Sequence, residues 1–372
     1  MIDRRKLLTA ATVGATGLAA SACGQSEANN STAASSGPAV IRRKKRLIMT
    51  TTWPKDLPGL GTAATRVAER VKALSEGAIE ITVYAAGELV PAFEAFDAVA
   101  SGNADMYHGA EYYWQSKSKA FNFFTAVPMG MTAAEISGWI DFGGGQALWE
   151  ELSGQHGVIA LQAANTGHQM GGWFKREVNS LDDFRGLKMR IPGLGGDVIH
   201  SLGGAAETLP GNEIYQALQT GRIDATEWVG PWNDYFLGFH REAKYYYGPG
   251  FQEPGASLAL GINRSKWDSF TATEQAIIRS ACNEVNHYSI GEFTYNNGVY
   301  LDKLVKDEGV ELRQFPEDVM ARVVEVSADI RSDAGSGGEL ERRIHASFET
   351  ALAQSRGWAS ISDGPFLAAR GR

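Results

Sequence analysis

The chain contains only two cysteines in 372 residues, Cys23 and Cys282. That excludes a disulfide framework and a cysteine metal site. Long apolar runs are missing too. The stretch after Leu8 is rich in Ala, Thr and Gly, and it is too short and too mild to span a bilayer. No G-x-S-x-G elbow, H-E-x-x-H, P-loop or C-x-x-C occurs, and no two of the seven histidines have metal-ligand spacing. Positive charge is in deficit, with a formal net charge of −8. Removing residues 1–22 takes away one acidic and three basic side chains (Asp3, Arg4, Arg5, Lys6), which moves the charge to −10. So acidic a domain is a poor partner for nucleic acid. The basic run from Arg42 to Arg46 lies just before the first strand and reads as a solvated spacer.

What is present begins with an export signal. Arg4-Arg5-Lys6-Leu7-Leu8 and the weakly apolar run to Ala22 have the layout of a secretory leader, residues 1–22. The paired arginines point to twin-arginine export. Ala20-Ser21-Ala22 is a cleavage site, and Cys23 follows it. A lipoprotein signal would cut at the same bond and acylate Cys23, but Ala20 stands where leucine is preferred, which favours plain cleavage. Residues 23–44 read as a flexible tether rich in Ser, Ala and Asn. About 330 residues remain, enough for two lobes with their own cores. Cys282, in a helical pattern, reads as a small buried hydrophobe.

The stretch Ser180–Asp234 organises the rest. Leu187, Met189 and Ile191 alternate with Lys188 and Arg190, the period of a strand with one buried face. Ser180 and Asp183 predict a capping box for one helical turn before it. Pro192-Gly193-Leu194-Gly195-Gly196 then breaks the strand, and a helix is expected over 197–202. Arg190 therefore sits at the carboxyl end of a strand, where α/β sheets place ligands, and its planar fork of donors matches a carboxylate. Position alone favours a surface arginine on an ordinary strand.

A short internal repeat adds weight. Ala100-Ser101-Gly102-Asn103-Ala104-Asp105 and Gln219-Thr220-Gly221-Arg222-Ile223-Asp224 each join an amphipathic helix to a short strand through a glycine and an aspartate three residues on. Two similarly built lobes would then present the loops His108–Trp114 and Glu227–Asn233 to a shared cleft. Strands over 47–53 and 79–83, helices over 62–76 and 91–100 and the short strand after Asp105 give a β-α-β-α-β order, an α/β fold with a doubly wound sheet, and a helix over 132–153 and strands over 157–162 and 257–262 follow. Residues 168–169 should begin a strand crossing to the second lobe. Long helices are expected from 271 to about 309 and from 316 to 358, broken near 332–338. Ile344, Phe348 and Leu352 form an apolar stripe wide enough for the core or for a partner subunit. Tyr112 and Tyr113 serve equally as cleft lining or as a packed corner, and Gln169 on its own could be a solvent-facing amide.

On Leu181-Asp182-Asp183-Phe184-Arg185-Gly186-Leu187-Lys188-Met189-Arg190-Ile191-Pro192 and Ala217-Leu218-Gln219-Thr220-Gly221-Arg222-Ile223-Asp224-Ala225, the chain resembles a solute-binding protein of the tripartite ATP-independent periplasmic (TRAP) transporters. The likeness covers roughly residues 45–360. Gln169, Glu227-Trp228 and the run Phe251-Gln252-Glu253-Pro254-Gly255 resemble the branch that binds 2-oxo or 2-hydroxy acids together with a metal cation.

The resemblance implies a two-lobed periplasmic binding protein with hinge-crossing strands and long C-terminal helices. Lobe one would be 45–166 with 256–300, and lobe two 167–255 with 301–372. It implies that Arg190 pairs with the ligand carboxylate. Gln169, Glu227 and the Trp228 carbonyl would hold Na⁺ or Ca²⁺, with Glu253, Tyr112 and Tyr113 as further site candidates. All-oxygen ligation suits those ions better than zinc. A TRAP permease would be the partner, and a homodimer through a C-terminal helix is implied. Two other functions compete. A neutral-sugar binder would stack rings on Trp53, Tyr112, Trp228 and Trp232, but it would leave Arg190 unpaired beside an uncharged ligand. An enzyme acting on small carboxylic acids would need a base within reach of the substrate, and the motifs above supply none.

Overall fold

The computed structural model describes residues 44–371. The leader, most of the tether and Cys23 lie outside the described residues. In chain order the strands are β1 (Lys45–Thr51), β2 (Ile79–Tyr84), β3 (Met106–Gly109), β4 (Val158–Asn165), β5 (Gly172–Phe174), β6 (Lys188–Arg190), β7 (Ala205–Glu207), β8 (Ala225–Thr226), β9 (Tyr245–Gly248), β10 (Ser257–Asn263) and β11 (Glu311–Gln314). They form two sheets, ordered β2-β1-β3-β10-β4 and β11-β9-β5-β8-β6-β7. In the first, β2, β1 and β3 are parallel, whereas β10 runs antiparallel between β3 and β4. That reversal follows from its route, because β10 returns from the second sheet. The chain passes from β4 to β5 through residues 166–171 and back from β9 to β10 through 249–256. The Gln169 N–H donates to the Glu253 carbonyl at 3.2 Å, and the Gly250 N–H donates to the Gln169 carbonyl at 2.9 Å, so the two crossings are bonded to each other.

The internal repeat is structural. Gly102 and Gly221 both take left-handed φ, +83° and +75°, which glycine adopts without steric cost. Asp105 then exchanges two bonds with Ile48 of β1: its N–H donates to the carbonyl at 3.0 Å, and its carboxylate accepts the Ile48 N–H at 2.8 Å. Asp224 does the same to Lys188 of β6, at 2.7 and 3.2 Å. Each aspartate thereby sets the register of the strand that follows it in its sheet.

Several elements differ from expectation. The helix expected over 132–153 is two helices, Ala133–Phe142 and Gly145–Gly154, split where Gly144 turns left-handed at φ +85°. The crossing strand starts at Gly172 rather than at 168. The glycine run after Pro192 is not a break: the helix begins at Gly193 and ends at Ser201. Gly193 and Gly195 are buried beside Leu194 because a Cβ on either would lie 2.7 Å from Asn122 Oδ1 or Ile191 Cδ1.

The long helix Ala272–Lys306 opens with a capping box between Thr271 and Glu274. It buries Ile278, Ala281, Cys282, Val285, Ser289 and Phe293 at three- and four-residue spacing. The Ile344 stripe goes to the chain's own core, not to a partner. Phe348 sits 5.1 Å from the Phe123 ring and 5.2 Å from Trp139, and Ile344 and Leu352 join the same cluster. The helix Glu339–Ala359 thus packs on elements that precede β4, while Val319, Val323 and Val326 of Glu317–Ala334 pack with Ile191, Val198 and Ile199. Among the described residues no helix is long and apolar enough to cross a membrane.

Candidate functional site

Arg190 ends β6, on the same face as exposed Lys188, yet only 1 % of it is exposed. Its Nε donates to the Leu209 carbonyl at 3.1 Å. Its Nη1 donates to the Glu227 carbonyl at 3.0 Å and to Glu227 Oε1 at 2.6 Å. The guanidinium carbon lies 5.0 Å from the Trp228 ring centre. Nη2 is buried without a partner, and so is Glu227 Oε2. The pairing of Glu227 with a cleft arginine is therefore present at one oxygen, while the other is left over.

Gln169 comes to this point from the 166–171 crossing. Its Nε2 donates to Thr166 Oγ1 at 3.0 Å and to Glu253 Oε2 at 2.9 Å. Those acceptors fix the amide and turn Oε1 away from them, and Oε1 has no partner. Tyr112 Oη donates to the same Glu253 oxygen at 3.4 Å. A narrow cavity between the sheets is lined by Trp53, Tyr112, Tyr113, Thr166, Gln169 and Trp228. Every residue expected at the site is thus in or beside one buried cluster.

The electrostatics are lopsided. Burial pushes the Glu227 carboxyl up to about 7 against the pull of Arg190. Glu253 is raised further, by burial and then by the Glu227 charge. Arg190 keeps its proton: burial opposes the charge, and Glu227 together with Tyr113 and Tyr112 more than offsets that. Two buried carboxyls face one guanidinium, while two oxygens, Gln169 Oε1 and Glu227 Oε2, have nothing to bind. A hard cation with oxygen ligands fits that donor set. Among the described residues no cluster of three His, Cys, Asp or Glu side chains forms, and the leftover oxygens here are one amide and one carboxylate oxygen.

Of the neighbours, Trp53 and His108 lie at strand ends legible in the chain, whereas Asp234 and Asn122 carry little local signal. Trp53 Nε1 donates to His108 Nδ1 at 2.8 Å inside the first lobe. Asp234 is buried and accepts from Trp173 Nε1 at 2.9 Å, from Tyr246 Oη at 2.8 Å, and from the Val229 and Gly230 N–H groups at 3.2 Å. It anchors the loop that carries Glu227 and Trp228. An acid inside the aromatic helix Pro231–Leu237 was the available signal. Asn122 had none.

Residues 49–334 match the model of the bacterial extracellular solute-binding proteins, family 7. A monocarboxylate 2-oxoacid-binding periplasmic protein of Nostoc sp. (strain PCC 7120) is 39% identical over 315 residues, 85% of this chain and 86% of that one. Among solved structures, a TRAP solute-binding protein of Pseudoalteromonas atlantica with bound sodium and pyruvate superposes with TM-score 0.84 at 37% identity, covering 87% of this chain and 99% of that one. A TRAP solute-binding protein of Bordetella bronchiseptica, a mixed-occupancy dimer with copurified calcium and picolinate, superposes with TM-score 0.85 at 32% identity, covering 88% and 99%. Its two-lobed fold, its buried cleft and these matches agree, and the chain belongs to family 7 of the bacterial extracellular solute-binding proteins, as a solute-binding protein of the TRAP type.

Proposed function

We propose that the chain binds a small 2-oxo or 2-hydroxy monocarboxylate together with Na⁺ or Ca²⁺ in its inter-lobe cleft and delivers the acid to the membrane subunits of a TRAP transporter. The observation that carries this is a group of buried polar atoms in one cluster without a hydrogen-bond partner, among them Arg190 Nη2, Gln169 Oε1 and Glu227 Oε2. A donor left over on a guanidinium calls for an anion, and two oxygens left over call for a cation. A 2-oxo acid with its cation supplies both.

Arg190 takes the carboxylate. Gln169, Glu227 and the Trp228 carbonyl hold the cation, which supplies the charge that lets an anion sit beside Glu227. Glu253 orients Gln169 and, with Tyr112, closes the site from the other crossing. Tyr113 and the Trp228 ring give the apolar wall on which a short alkyl tail rests. This is binding without turnover: each polar group is held by neighbours that orient it for an ion.

Residues 45–166 with 256–300 make up the first lobe, and 167–255 with the helix Glu317–Ala334 the second. The helix Glu339–Ala359 packs on the first. The homodimer is best supported by the segment after it. Helix Asp363–Arg370 buries none of its residues, and Trp358, Ile361, Phe366 and Leu367 are exposed around it. A second copy would cover that apolar surface. Export to the periplasm follows from the leader and the family.

The test is to dialyse the protein exhaustively against chelator in sodium-free buffer and titrate pyruvate by calorimetry while restoring Na⁺ or Ca²⁺. Binding should vanish without the ion and return with it, and Glu227→Gln should weaken the ion first. Full affinity in metal-free, sodium-free buffer would remove Gln169 and Glu227 as cation ligands and leave Arg190 in place.

A further inference from the structure

The two lobes also meet at a contact beside the ligand cluster. Arg190 is followed by Ile191 and Pro192, and then the helix Gly193–Ser201 begins. Its first turn rests on the short helix Lys119–Phe124 of the first lobe. Asn122 is fully buried there. Its Nδ2 donates to the Lys119 carbonyl at 2.8 Å and to Gln115 Oε1 at 3.4 Å, both on its own lobe. Those two acceptors turn Oδ1 outward, where it accepts the Leu194 N–H at 3.2 Å.

The first N–H groups of a helix have no partner inside it. Pro192, at the N-cap, offers no side-chain acceptor, so the cap comes from the opposite lobe. Gly193 makes the approach feasible. Its φ is +60°, and a Cβ there would lie 2.7 Å from Asn122 Oδ1 and 3.2 Å from Tyr112 Cβ. Lys119 adds a rim contact to Asp197 at 3.4 Å, but both side chains are substantially exposed and the pair counts for little.

We infer that Asn122 and Gly193 form a closure latch, a positioning contact that seats the strand end carrying Arg190 against the first lobe when acid is bound. The inference rests on the two-lobed, acid-binding reading above. Its asymmetry is physical. With the lobes apart, water satisfies the Leu194 N–H and the Asn122 oxygen. With the lobes together and Asn122 truncated, the Leu194 N–H is buried without an acceptor, and that part of the loss falls on the closed state alone, whereas the Lys119 and Gln115 bonds are lost in both states. A ligand that needs the closed state then binds more weakly in proportion to the closed fraction.

The test uses pyruvate with Ca²⁺ on the mature chain, reading affinity, dissociation rate and the melting temperature of the ligand-free protein. Asn122→Ala should weaken pyruvate by about tenfold, mainly through faster dissociation, while the ligand-free melting temperature falls only by what its Lys119 and Gln115 bonds contribute within the first lobe. Gly193→Ala pushes Asn122 off Leu194 and should weaken binding at least as much, while small-angle scattering at saturation shows a larger radius than the unaltered protein. Wild-type affinity and dissociation rate in Asn122→Ala would overturn the latch, and so would a fall in ligand-free melting temperature with dissociation unchanged. If the unaltered protein binds no pyruvate with either ion, the acid-binding reading falls and the latch with it. Normal pyruvate binding with an unaffected Asn122→Ala removes the latch alone.

Discussion

The two sheets share a scaffold and differ in what they put on it. In each, a left-handed glycine and an aspartate three residues later tie an incoming strand to its neighbour, Asp105 to Ile48 and Asp224 to Lys188. The strand ends that result are unlike. In the first sheet they lead to Trp53 and His108, a neutral pair joined by an indole-to-imidazole hydrogen bond. Burial depresses the His108 pKa to about 3, so the pair stays uncharged. In the second sheet they lead to Arg190 and Glu227, a buried ion pair with leftover valence on both sides. One lobe is a wall and the other carries the charge. Splitting the work this way keeps the costly desolvated ions on a single rigid sheet, where their geometry does not depend on closure.

The largest expected effect breaks the charged half. Arg190→Ala removes the proposed partner of the carboxylate and leaves Glu227 buried alone, which should cost on the order of 3 kcal/mol or more of acid binding. It should also lower the melting temperature, since Arg190 bonds Leu209 and Glu227 in the folded chain. Arg190→Lys should recover only part, for an ammonium cannot reproduce the fork. Calorimetry giving near-normal affinity in both variants would rule Arg190 out as the carboxylate's partner.

The next effect sharpens the neutral half. Glu111 is fully buried in the first lobe; it accepts from Tyr107 Oη at 2.5 Å, and burial pushes its pKa up to about 7 from 4.5. A raised acid gives stability that is full below the unfolded value and lost as pH rises through the folded one. Stability should therefore drop between about pH 4.5 and 7, by roughly 3 kcal/mol from this group. Glu111→Gln should flatten that slope in denaturant unfolding and be the more stable protein at pH 8. An unchanged slope would show that Glu111 does not hold its proton.

The smallest effect tests the likeness itself. Asp105→Ala and Asp224→Ala each remove one backbone-to-carboxylate bond, and each should cost roughly 1–2 kcal/mol of stability. Only Asp224→Ala should also weaken acid binding, because it loosens the register of the strand that ends in Arg190. Equal losses of affinity in both would mean that the first sheet carries charge-like work as well.

Much of this was legible in the chain because it is local. The glycine-to-aspartate spacing, the strand alternation that ends at Arg190, the capping box at Ser180 and the stripe on the long helix each lie within a few residues and follow from backbone geometry. The resemblance pointed to Gln169, Glu227 and Glu253, and all three converge. Their convergence was not local: Gln169 reaches Glu253 across 84 residues, and Arg190 reaches Glu227 across 37. Those distances are closed by the bonded crossings 166–171 and 249–256, a fact of topology. Where local pattern misled, tertiary packing had decided. The run from Gly193 to Gly196 has the composition of a turn and is a helix start, with Gly193 against Tyr112 and Asn122 of the other lobe and Gly195 against Ile191. The Ile344 stripe was open between core and partner until Phe123 and Trp139 were seen beneath it. Composition and spacing determine which elements form and which side chain ends a strand. Only the folded chain decides which of those side chains are left, dry and unpaired, to meet an ion.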